Sequence, residues 1–208
     1  LGNVTISFAG ATATFVDANV GSFKTVTVTG YSISGPASAY YTLIPLPAQS
    51  GNITAKPLSI NAILANKTYG TALTSGSGFT GFNAVGAVGA ENPGTVTVTY
   101  GSGSAANANV GTYTNSIVLS ALTGGSGGFL AGNYTITYNS ANIVVNPKVL
   151  TLSGADANHK IYNGNTIAVL NGGVSLVGGV EVGDDCTLDA TGATGTFASP
   201  NVANGINV

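Results

Sequence analysis

His159 is the only histidine in the chain. A Ser-His-Asp triad or a histidine-bearing metal site would have to be built on it. It directly precedes Lys160-Ile161-Tyr162-Asn163-Gly164, whereas the similar string Lys67-Thr68-Tyr69-Gly70 is preceded by Asn66. A place that takes His in one copy and Asn in another reads as a polar strand end, not a general base. Cys186 is the single cysteine, so the chain holds no disulfide framework. It aligns with Val4 at an offset of 182 residues and reads as a small buried apolar position. No Lys, Arg or His stands next to it to favour the thiolate.

Three further patterns could carry chemistry. Gly76-Ser77-Gly78-Phe79-Thr80-Gly81 fits the dinucleotide fingerprint G-x-G-x-x-G, which needs a following helix and an acid about 20 residues on. More glycine and β pattern follow instead, and the only nearby acid is Glu91. Glu181, Asp184, Asp185 and Asp189 crowd four of the seven acids into nine residues. Calcium needs several converging oxygens, and EF-hand spacing is absent, so a polar turn is the simpler reading; Asp184 and Asp185 are the first calcium candidates. Tyr69 and Tyr162 recur at matching places, where a ring could stack on a sugar or plug the end of a module.

The elements that position these residues are β-strands. Thr25-Val26-Thr27-Val28-Thr29, Thr95-Val96-Thr97-Val98-Thr99 and Tyr134-Thr135-Ile136-Thr137-Tyr138 alternate in character, which predicts one buried and one wet face for each. Glycine-serine tracts such as 124–128 mark turns. No stretch of a dozen residues carries helical spacing with caps.

The chain also repeats. Residues 1–26 align without a gap on 183–208 with nine identities, and Asn19-Val20-Gly21 recurs 90 residues later as Asn109-Val110-Gly111. Tyr41-Thr42 returns as Tyr134-Thr135, and Asn52-Ile53 as Asn142-Ile143. A period near ninety exceeds the roughly 20–50 residues of a solenoid coil and predicts tandem small domains. One complete unit is expected at 57–146, with the back part of a unit before it (1–56) and the front part of another after it (147–208). Pro57 and Pro147 stand at the junctions and bias the chain to extended conformations. With no Gly/Ser linker between units, the expectation is mainly β modules stacked into an elongated rod with little helix.

Only 6% of the 208 residues are charged, against roughly 25% in ordinary soluble proteins, so the polar surface must come from Thr, Ser and Asn. There is no Arg, and Lys24, Lys56, Lys67, Lys148 and Lys160 are scattered, which excludes a nucleic-acid face. Polar residues interrupt every apolar run well short of the ~18 residues of a membrane span. The absence of Met predicts an excerpt of a longer chain.

The K-x-Y-N-G string at Lys160, Tyr162, Asn163 and Gly164, the Val182-Gly183-Asp184-Asp185 that follows, and the later Asn-Val-Gly and Tyr-Thr strings resemble the YDG and MBG (mostly-β, glycine-rich) repeats of large bacterial surface adhesins. Residues 57–146, opening with Lys67-Thr68-Tyr69-Gly70, resemble the MBG variant; 1–56 and 147–208 resemble parts of a YDG unit. The resemblance implies an extracellular module of small-sandwich or β-grasp type in a filamentous-haemagglutinin-like protein. The expected role is a non-enzymatic stalk or spacer, with no cofactor unless calcium binds; the alternatives are direct glycan or host-protein binding by the modules, and self-association, head-to-tail or between cells, through exposed strand edges. The expected partners are neighbouring repeats, a host glycan or matrix protein, or a second copy joined head-to-tail through the terminal parts. No nucleic-acid partner or membrane insertion is expected.

Overall fold

The computed structural model describes residues 2–189 and 191–208. They divide into two compact units, one of residues 2–66, 73–104 and 112–144, the other of 67–72, 105–111 and 145–208. The fold is mainly β. The only helical segments among the described residues are two three-residue 3-10 turns, Ser38–Tyr40 and Ala131–Asn133, and no helix is long and apolar enough to cross a membrane.

Ahead of the middle region run β1 (Thr5–Ser7), β2 (Thr12–Phe15), β3 (Gly21–Thr29), β4 (Ser32–Ser34) and β5 (Gln49–Ile53). β2, β3 and β5 form a three-stranded antiparallel sheet, and β1 pairs with β4. The middle region holds β6 (Lys56–Ala62), β7 (Ala65–Thr68), β8 (Gly76–Phe79), β9 (Phe82–Val85), β10 (Thr95–Tyr100), β11 (Gly111–Thr123), β12 (Tyr134–Asn139) and β13 (Ala141–Asn146). Its two sheets have the orders β7-β13-β11-β10-β8 and β12-β6-β9. After β13 come β14 (Thr151–Ser153), β15 (Asp156–Ala157), β16 (Ile167–Ala168), β17 (Leu170–Asn171), β18 (Ser175–Val177) and β19 (Gly195–Thr196). These pair only as two-stranded ladders: β14 with β18, β15 with β17, β16 with β19.

The alternation read from the sequence sets the core. Val96 and Val98 of β10 are buried while Thr99 is exposed, because successive side chains leave a strand on opposite faces. Leu58 and Ile60 of β6, Ile117 and Leu119 of β11, and Ile143 and Val145 of β13 are buried with them, so both sheets contribute to the core. Burying each such aliphatic side chain stabilises by about 1.5–3 kcal/mol.

β12 runs parallel to β6, from Tyr134 opposite Lys56 to Asn139 opposite Asn61. Parallel neighbours need a long crossover, which is usually a helix. Here strands supply it: β7, β8, β10 and β11 belong to the other sheet, and the chain returns to β12 only after passing through them. The Gly76–Gly81 string forms one corner of this route. β8 ends at Phe79 in one sheet, and β9 begins at Phe82 in the other, so the G-x-G-x-x-G pattern opens no helix.

The recurring Asn-Ile pairs have a structural reason. Phe23 in β3 and Asn115 in β11 both sit in the left-handed region, at φ 54° and 52°. The backbone N–H of Phe23 donates to Asn52 Oδ1 (2.8 Å), and that of Asn115 donates to Asn142 Oδ1 (2.9 Å). In each copy an Asn side chain satisfies a donor that the irregular strand turns out of register.

Candidate functional site

The two K-x-Y strings form turns closed by their own lysines. Lys67 Nζ donates to the carbonyl oxygens of Thr71 (2.7 Å) and Ala105, and its side chain is buried. Burial holds its ammonium below the ordinary lysine pKa. Lys160 Nζ donates to the carbonyl oxygen of Asn165 (2.6 Å), to Asn165 Oδ1 (2.8 Å) and to the carbonyl oxygen of Ile167 (3.1 Å). It also lies 5.7 Å from the centre of the Phe197 ring, within cation–π range. The repeated lysine therefore acts as a clasp: a long apolar stem carries the ammonium donors to backbone carbonyls of its own turn and, for Lys67, to that of Ala105.

The tyrosines of the two turns stand in different surroundings. Tyr69 is half-buried and donates its hydroxyl to Asp184 Oδ1 (2.8 Å). That hydrogen bond first, and burial next, raise the phenol's pKa. Beside it, Lys148 Nζ pairs with Glu181 Oε1 at 2.5 Å. Glu181 closes over Gly70: a Cβ on Gly70, whose φ is +92°, would run into the Glu181 carboxylate. Two of the clustered acids are thus engaged by the turn's tyrosine and by Lys148. Asp189 accepts from the hydroxyl and the backbone N–H of Thr191, which hold its carboxyl below the usual range. Asp185 has no hydrogen-bond partner among the described residues, and no group of three potential metal-ligating side chains converges among them.

Tyr162 is 60% exposed and lines a cavity of about 1040 Å³ with His159, Lys160, Phe197, Asn201 and Asn207. A ring that plugged the end of a module would be buried; Tyr162 is not, because the strands around it form only two-residue ladders and leave no sheet face to cover it. Cys186 also departs from expectation. It is exposed, since 181–189 is a loop with no strand, and its counterpart Val4 is itself 39% exposed. Pro57 lies inside β6, while Pro147 lies in the four-residue connection from β13 to β14. The lysine clasp and the Asn clamps on Phe23 and Asn115 were not read from the sequence, though the recurrence of Lys67/Lys160 and Asn52/Asn142 marked their places.

No curated protein and no solved structure matches the chain. The family model of the YDG domain matches residues 2–50 and 146–208, which together make up more than half of the chain. By that match, and with the lysine-clasped turn at Lys160-Ile161-Tyr162-Asn163-Gly164 inside the matched stretch, the chain belongs to the YDG-domain family.

Proposed function

We propose that this chain is a structural spacer, a run of β-modules from the stalk of a secreted or surface-anchored bacterial adhesin, with no enzymatic activity of its own. The observation that carries this reading is the inward use of the repeated polar residues. Lys67, Lys160, Asn52 and Asn142 spend their hydrogen bonds on the chain's own backbone, so what recurs is scaffolding. A module repeated for length selects for this kind of closure. The sparse charge and Thr/Ser/Asn-rich surface fit an extracellular setting.

A second reading, direct binding of a glycan or host protein, is favoured by one observation: the exposed ring of Tyr162 beside Phe197 on an open cavity. Aromatic faces with amide groups around them suit sugar rings. The experiment is a binding screen of the purified chain against a glycan array and matrix proteins, with and without calcium. The spacer reading expects silence in both conditions. Reproducible binding that is lost in a folded Tyr162→Ala variant would replace it with the adhesin reading.

A further inference from the structure

Three asparagines of the chain are followed by glycine: Asn163-Gly164, Asn171-Gly172 and Asn204-Gly205. A glycine leaves its peptide nitrogen unshielded by any Cβ, so that nitrogen can reach the preceding side-chain amide and close a ring on it. At Asn163 the groups of the turn itself favour the closure. Asn163 Oδ1 accepts the backbone N–H of Asn165 (3.4 Å), which draws electron density off the amide carbon and stands where an oxyanion would form. Lys160 Nζ is bound to Asn165 Oδ1 (2.8 Å) and to the Asn165 carbonyl oxygen (2.6 Å), so a cation is fixed on the residue that supplies this donor. The attacking N–H of Gly164 makes no hydrogen bond among the described residues. Gly164 has a φ of +78°, with open space where a Cβ would stand.

The other two pairs lack this arrangement. Asn171 belongs to β17 and is held opposite Asp156 of β15, and a Cβ on Gly172 would stand against the carbonyl oxygen of Gly154. The backbone there is engaged on both sides of the nitrogen that would have to move. Asn204 and Gly205 lie in an irregular stretch. Neither Asn171 nor Asn204 has a hydrogen-bond donor on its side-chain oxygen among the described residues, so neither amide carbon is activated as that of Asn163 is.

We propose that Asn163 is a site of spontaneous deamidation, activated by the turn that Lys160 closes. The Gly164 nitrogen gives up its proton and bonds to Cγ of Asn163. The Cγ–Nδ2 bond breaks, and the side-chain nitrogen leaves as ammonia with that proton. Water then opens the cyclic imide at one of its two carbonyls. Opening at Cγ leaves an aspartate; opening at the main-chain carbonyl leaves an isoaspartate, whose backbone path is one carbon longer. The net change is amide plus water to acid plus ammonia, with no electron transfer. The two products act on the turn in opposite senses. An aspartate keeps the acceptor for the Asn165 N–H and makes it a carboxylate, which strengthens that bond. An isoaspartate shifts Asn165 and Ile167 relative to Lys160, whose ammonium holds their carbonyl oxygens, and the clasp opens.

The test is a time course of the whole 208-residue chain in mildly alkaline buffer, folded and in parallel in concentrated urea, read by peptide mapping in a mass spectrometer. In the folded chain Asn163 should convert several-fold faster than Asn171 and Asn204. In urea the turn is lost, each site is then simply an asparagine before a glycine, and the three rates should converge. The isoaspartyl form, separated by chromatography, should lose amide-exchange protection in the β16–β19 ladder, which an Asn163→Asp variant should retain. Asn163 left intact in the folded chain overturns the proposal, as does Asn171 or Asn204 keeping pace with it. The same ranking in urea also overturns it, since the preference would then belong to the local sequence and not to the turn. Unchanged protection in the isoaspartyl form would overturn the opening of the clasp.

Discussion

Nine of the ten buried hydrophobic side chains among the described residues lie between Leu58 and Val145, and the tenth is Ala168. The stretch ahead of it carries the same Thr-Val alternation at Thr25–Thr29, and the stretch after it carries the same K-x-Y turn string at Lys160–Gly164. Local pattern therefore does not account for the contrast. Strand pairing does. Ile60 sits in a strand flanked on both sides by β9 and β12, while Leu152 sits in a strand flanked on one side only. A β-strand buries one face only where neighbours and an opposing sheet cover it, so the same residue type at the same repeat position is core in one place and surface in the other.

The largest expected effect tests that contrast directly. Ile60→Ala should destabilise by about 2–5 kcal/mol, the usual cost of deleting buried aliphatic volume. Leu152→Ala, at the corresponding place, should change stability by no more than about 0.5 kcal/mol. Urea unfolding followed by tyrosine fluorescence reads both. Equal losses would mean that the exposed strand edge is covered in solution, and dilution would then separate coverage by a second copy from coverage within one chain.

A smaller effect separates the two turns. Ala in the left-handed region costs about 1–2 kcal/mol, so Gly70→Ala and Gly164→Ala share that loss. Gly164 has open space where a Cβ would stand, whereas at Gly70 the Cβ would meet the Glu181 carboxylate. Gly70→Ala should therefore cost more than Gly164→Ala, and adding Glu181→Ala should recover the excess but not the shared part. A double-mutant cycle measures this coupling. No coupling would show that Glu181 does not hold its place over the turn.

What the sequence made legible was periodic. The alternation of Thr95–Thr99 foretold which valines of β10 are buried, and the 124–128 tract turns as its glycines suggest, with Gly124, Gly127 and Gly128 all at positive φ. The K-x-Y string marked the family. What remained hidden depends on through-space neighbours. Phe23 gives no local sign of a left-handed backbone, since bulky residues avoid that region; the support comes from Asn52, 29 residues away. Lys67 reads as a surface cation until Ala105, 38 residues on, turns a carbonyl toward it. Cys186 is exposed where an apolar counterpart suggests burial, because the counterpart position, Val4, is itself exposed.

The smallest expected effect concerns acid. Two aspartates are held below the ordinary range, and both lie outside the middle region. Asp17 is lowered first by the hydrogen bond from Lys24 Nζ (2.5 Å) and next by the backbone N–H of Asn19; Asp189 is lowered by the hydroxyl and N–H of Thr191. A depressed folded-state pKa means that the unfolded chain binds the proton more readily. The contribution is thus complete above the unfolded Asp value of about 3.9 and fades as pH falls through the lower folded value. Amide exchange should show the strands near Asp17 and Asp189 opening in that acid window, while β6, β10 and β11 keep their protection. Asp17→Asn should remove the pH dependence around β3 at modest cost near neutrality, because the Asp17 carboxylate is itself solvent-exposed while Lys24 is largely covered. Loss of protection in β6 at the same pH as in β3 would mean that the regions unfold as one cooperative body, and the contrast in core burial would then not be a contrast in stability.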